Sequence, residues 1–168
     1  AEKALRELAA LQAEDGHWGE SNPVAATAVG GLAILAANPK ALENDALRKA
    51  VRWLLEKRGR VKWEAGDRQS MTVTNAWATL LILEVLVAVD RTASSAFDEE
   101  ALKSVAEKAV DTLLKCQSPT GYWERDLSLS ERAHDIEPTG LALLALYLAQ
   151  RAGLDVPEPV FRRAWKGL

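Results

Sequence analysis

The sequence predicts an all-α protein built from a repeated pair of helices. Three observations carry this reading. Helical segments of two kinds alternate along the chain, one amphipathic and the other apolar nearly all round. Polar loops holding Trp18, Trp63 and Trp123 join the first kind to the second, 45 and 60 residues apart, a spacing that marks stacked helical repeats. The composition, 48% apolar and 27% charged over 168 residues, suits one domain with a sizeable core, so residues 1–168 read as a single repeat domain.

Taken in order, Ala4–Gln12 is amphipathic through Leu5, Leu8 and Ala9. It lacks the basic start and continuous apolar run of a signal peptide, and a chain that does not begin with Met reads as processed or excised. Val24–Ala37 is the first apolar helix. Ala41–Lys57 is amphipathic again, through Leu47, Ala50, Val51 and Leu54. Thr72–Val89 is the second apolar helix. Its Thr74, Asn75, Thr79 and Glu84 favour burial in a core over a membrane span, which needs about 20 predominantly apolar residues. Glu99–Gln117 carries Leu102, Val105, Ala106, Ala109, Val110, Leu113 and Leu114 on one stripe, with Glu, Lys and Asp opposite. Thr139–Ala149 is the third apolar helix. The hairpins therefore span about 1–38, 39–90 and 97–152, with amphipathic helices outside and apolar ones inside. Residues 157–168, with Arg162-Arg163-Ala164-Trp165, compare with Arg48–Trp53 and begin a further outer helix.

Charge and cysteine content narrow the function. The net charge is −3, and Lys and Arg are interleaved with Glu and Asp, so no nucleic-acid or acidic-lipid partner is expected. The single cysteine, Cys116, supports neither an internal disulfide nor a Cys-rich zinc site. It favours a reducing compartment, hence a cytoplasmic location, peripheral to a membrane at most.

The most specific signal is a repeated loop. Gln12-Ala-Glu-Asp15-Gly16-His17-Trp18 and Gln117-Ser-Pro-Thr120-Gly121-Tyr-Trp123 place Gln, Gly and Trp at the same offsets. The glycine suits the left-handed end of an outer helix. The glutamine amide suits exposed backbone groups at helix ends, and the tryptophan packs its face while its N–H takes a partner. In the second loop Lys57 takes the Gln position, Val61 the Gly position, and Trp63 remains.

This Q-x-x-[D/T]-G-x-W pattern resembles the Gln-Trp repeat of squalene and oxidosqualene cyclases, shared in looser form with protein prenyltransferase β subunits. The resemblance covers the whole chain as three hairpins. It implies an α/α-toroid-like stack, with outer helices around inner ones, and three hairpins make half of such a ring. The segment His134-Asp135-Ile136-Glu137-Pro138-Thr139-Gly140 lies where squalene-hopene-type cyclases carry D-x-D-D-T-A. By that resemblance Asp135 matches the first Asp, Glu137 stands for the proton-donating Asp, Pro138 replaces the last, and Thr139 matches. The residues by themselves read as a helix start, since acids and Pro suit the first turn. Thr27, Thr74 and Thr139 each sit at the start of an inner helix, as a repeat feature.

Carbocations need aromatic faces around them, and the inner helices supply only Trp77 and Tyr147, the candidate binding residues. A wall of Ala, Leu and Val suits an apolar ligand. The Asp-x-Cys zinc motif of the prenyltransferases is absent, because Leu114 stands two before Cys116. His17 and His134 read as solvated loop residues, so no metal and no cofactor is expected. The loop Glu56–Arg68, with Arg58, Arg60, Lys62 and Arg68, reads as a solvated turn, with an anion such as a diphosphate as the alternative. The expectation is a cyclase-like or prenyltransferase-like domain, incomplete in catalysis. It would handle an apolar isoprenoid-like ligand with missing repeats or through self-association. The rival is a non-catalytic interaction module.

Overall fold

In a computed structural model, which describes residues 2–37, 40–58, 62–63, 71–92, 94–129 and 135–167, the chain is all-helical. The helices are α1 (Glu2–Ala10), α2 (Pro23–Ala37), α3 (Asp45–Lys57), α4 (Met71–Thr92), α5 (Glu99–Lys115), α6 (Ile136–Arg151) and α7 (Glu158–Gly167), with a 3₁₀ turn at Ala41–Glu43 before α3. No strand occurs among the described residues.

Local chemistry sets the ends. Asn44 Oδ1 accepts the Leu47 N–H at 3.1 Å and Asp98 Oδ1 that of Ala101 at 3.0 Å, side-chain caps for α3 and α5. Asp135 caps α6 through the Glu137 N–H. Pro23 opens α2 at the position where a missing N–H costs nothing. α6 ends at Gly153, whose φ is +79°. Its N–H reaches Gln150 and that of Leu154 reaches Ala149, the paired bonds that satisfy the last carbonyls.

α4 lies at the centre and packs against α2, α3, α5 and α6. It contributes Leu81, Ile82, Leu83 and Val85, all fully buried. It is long and apolar enough to cross a membrane by length and composition, and 72% of its most apolar window is buried inside the chain. The helix N-termini of the apolar row gather at one end. Asn22 Nδ2 donates to Thr74 Oγ1 at 2.9 Å, and the Thr72 N–H donates to the Arg125 carbonyl at 2.7 Å. α1 is the exception among the amphipathic helices: none of its residues is fully buried, and Leu5, Leu8 and Ala9 only lean on the core.

Candidate functional site

The three tryptophan loops share one hydrogen-bond plan. The indole N–H of Trp18 donates to the Leu8 carbonyl at 2.7 Å, that of Trp63 to Leu54 at 2.8 Å, and that of Trp123 to Leu113 at 2.7 Å. Each indole thus bonds a carbonyl near the end of the preceding helix, where the regular helical ladder runs out; those of Leu8 and Leu113 also accept the N–H of Leu11 and Cys116. The backbone N–H of the same tryptophans donates to Thr27 Oγ1, Asn75 Oδ1 and Thr139 Oγ1 at 2.9–3.0 Å. Trp63 and Trp123 are fully buried. The residue equivalent to Thr27 and Thr139 is therefore Asn75, not Thr74. Asn75 also donates to the carbonyls of Trp63 and Met71, whereas Thr74 bonds Asn22. Spacing from the helix start pointed at the threonine, and only the tryptophan's partner identifies the asparagine.

Gln12 Nε2 donates to the carbonyls of Gly16 and Ala46, both at 2.8 Å. Gln117 Nε2 does the same to Gly121 and Val160, at 3.0 and 2.9 Å. Each amide closes its own loop and fastens it to the next helix, α3 or α7. The glycines have φ of +106° and +94°, and a Cβ on either would strike backbone of that helix, at Lys49 or Arg163. The second loop is one residue shorter. Counted from the carbonyl that holds the indole, the place of Gln12 and Gln117 falls on Arg58, not Lys57. The Arg58 guanidinium lies 5.2 Å from the Trp63 ring centroid. Val61, Arg60, Arg68 and His134 lie outside the described residues.

Asp15 and His17 form a surface latch with α3. His17 Nδ1 and Asp15 Oδ1 are 2.5 Å apart, Asp15 Oδ2 accepts the Trp53 indole N–H at 3.0 Å, and the His17 ring stacks on Trp53. The hydrogen bond from His17 holds the Asp15 carboxyl below its ordinary value. In the third loop Thr120 stands where Asp15 does, and its hydroxyl pairs instead with Ser118 Oγ at 2.6 Å.

The pair Asp135 and Glu137 sits in front of Arg125. The guanidinium bonds Asp135 through Nε and Glu137 Oε2 through Nη2, the latter at 2.8 Å. The two carboxylates raise the Arg125 pKa. Glu137 is exposed. The arrangement is a solvent-facing ion-pair cluster at the start of α6.

The three tryptophan partners also set a common count along the inner helices. Two residues beyond Thr27, Asn75 and Thr139 come Val29, Trp77 and Leu141, and nine beyond come Ala36, Glu84 and Leu148. All six are half-buried or exposed. On α4 the solvent-reaching residues between Met71 and Val89 are Val73, Trp77, Glu84, Val87 and Ala88, one stripe in steps of three, four and seven. The remainder of that stretch is buried. α2, α4 and α6 thus all reach solvent at these equivalent positions, which on α4 are Trp77 and Glu84. Tyr147 matches Leu35 and Leu83 and lies about 100° round α6 from Leu148. It does not share the stripe with Trp77. The sequence marks Glu84 only as a polar residue that argues against a membrane span, since a lone acid in an apolar helix has no spacing partner, and the structure places it exposed.

Among the described residues no group of three or more His, Cys, Asp or Glu is placed to hold a metal. Burial pushes the Cys116 thiol pKa up. Comparison of the chain with protein-family models, curated proteins and solved structures gave no match.

Proposed function

We propose that this chain is an α/α-toroid-type repeat domain of the squalene-cyclase and prenyltransferase kind, which presents an apolar wall to an isoprenoid-like ligand and does not catalyse alone. The carrying observation is the loop plan. Two loops 105 residues apart use the same Gln, Gly and Trp with the same backbone partners, each fastened to the following outer helix. α7 is tied to the third loop as α3 is to the first, which supports hairpins at about 1–38, 39–90 and 97–152 and a further one beginning at 157–168. The open stripe of α2, α4 and α6 supplies the wall. Glu137 stands in solvent with Arg125, and Trp77 is the one aromatic on the stripe, which supports a domain that does not catalyse alone. The burial of α4 accounts for its apolarity, and we read it as a core helix in a cytoplasmic protein.

The second reading, a non-catalytic interaction module, has its own support. Trp165 on α7 is 80% exposed, and Ile136, Leu144 and Tyr147 are exposed on α6. By the loop bonds Trp165 corresponds to Val51, which is fully buried in α3. A further repeat, a second copy or another protein would cover these residues. Calorimetric titration with farnesol decides between the two. Binding that weakens in Trp77→Leu supports the ligand wall. Absence of any Trp77-dependent binding sinks it and leaves the interaction module.

A further inference from the structure

We propose that the open face of α2, α4 and α6 takes a single-chain amphiphile with a cationic head, its ammonium held at Glu84 and its chain laid along Trp77; this rests on the reading of that face as a ligand wall. Glu84 is the sole charged residue of α4 between Met71 and Val89. Its neighbours three and four residues away are Leu80, Leu81, Val87 and Ala88, so its own helix offers no counter-charge within a turn, and the nearest, Arg91, is seven residues on. It takes part in no ion pair among the described residues. At the equivalent count along the flanking helices stand Ala36 and Leu148. An apolar ligand lying over this stripe would strip water from the carboxylate and give nothing back. An anionic head would add like-charge repulsion. A cationic head supplies the missing partner through a charge-assisted contact.

Trp77 sets where the chain lies. It is seven residues before Glu84 on the same stripe, about 10.5 Å along the helix axis. Val29 and Leu141 are its solvent-reaching equivalents on α2 and α6. Head and chain are thus assigned to two solvent-reaching positions on one side of α4: Glu84 for the charge, Trp77 with its equivalents Val29 and Leu141 for the hydrocarbon. The Glu137 end is not available for the head, since its carboxylate is already paired with Arg125.

The test uses the full chain at low salt with three probes below their micelle-forming concentrations: dodecyltrimethylammonium, dodecanol and dodecyl phosphate. Calorimetry should give the ammonium about tenfold tighter binding than the alcohol, the scale of one charge contact at a half-open surface, with the phosphate weakest. Added salt should shrink that advantage. Glu84→Gln should bring the ammonium to the level of the alcohol and lift the phosphate, while Trp77→Leu should weaken all three. Both positions reach solvent, and thermal melts of the variants confirm that they fold. A cation preference that survives Glu84→Gln, or no preference at all, overturns the proposal. If the alcohol still binds in a Trp77-dependent way, the ligand wall stands and only its charge selectivity falls. If no probe depends on Trp77, both fall.

Discussion

Gln117, two residues past the end of α5, donates through Nε2 to the carbonyl of Val160 in α7 at 2.9 Å, 43 residues on. Its Oε1 meanwhile accepts from Nε and Nη2 of Arg163 at 3.0 and 2.6 Å. One buried amide thus serves its own loop, the next helix and a guanidinium. Gln117→Ala should cost roughly 1–3 kcal/mol, as loss of a partner to buried polar groups does. Urea denaturation measures it. Gln12→Ala should cost less, because Gln12 is only half-buried. An equal or reversed order would show that the two loops are not fastened alike.

Trp123 is fully buried and holds Leu113 and Thr139 together through its two N–H groups. Trp123→Ala should cost roughly 3–5 kcal/mol, as large aromatic truncations do. A loss below about 1 kcal/mol in the same urea experiment would contradict its place in the core.

Gly121→Ala tests the close approach of the third loop to α7. The substitution meets both a positive φ and the backbone of Arg163. A cost of roughly 1–3 kcal/mol is expected. Gly153→Ala is the control: its φ is also positive, yet nothing lies within 4 Å of the added carbon. The difference between the two variants isolates the clash from the strain.

Asp15 gives the fold an acid limb. Its carboxyl titrates below the ordinary value of 3.8, chiefly because of the hydrogen bond from His17. A carboxyl with a lowered folded pKa stabilises above its unfolded pKa, and that contribution is lost as pH falls through the folded value. Melting temperature should therefore drop between about pH 5 and pH 2, and Asp15→Asn should flatten part of that drop. The effect is small at an exposed site. Identical acid limbs in the two proteins would remove the latch from the account.

Incubated alone with squalene or a linear prenyl diphosphate, the chain should yield no cyclised product. Glu137 is exposed and bound to Arg125, and on the proposed likeness to the cyclase motif Pro138 would stand where the partner carboxylate does. Product analysis by gas chromatography checks this. Cyclised product that Glu137→Gln abolished would make Glu137 the proton donor.

The sequence by itself determined the helices and their two kinds, because periodicity records which faces need burial and caps record where helices start. It also marked the loops at Trp18, Trp63 and Trp123, since Gln, Gly and Trp recur there at fixed offsets. Three-dimensional contacts decided the rest. Asn75 rather than Thr74 receives the Trp63 backbone. Arg58 rather than Lys57 takes the glutamine's place, because the second loop is shorter by one. Gly16 and Gly121 are needed for the closeness of a helix far along the chain as much as for their own φ. An apolar helix also looks alike on every side in sequence. Which stripe of α4 stays open, and so where Trp77 and Glu84 stand, depends on the neighbours that cover its other faces. That choice is made by packing, in which each residue's environment comes from chain distant in sequence.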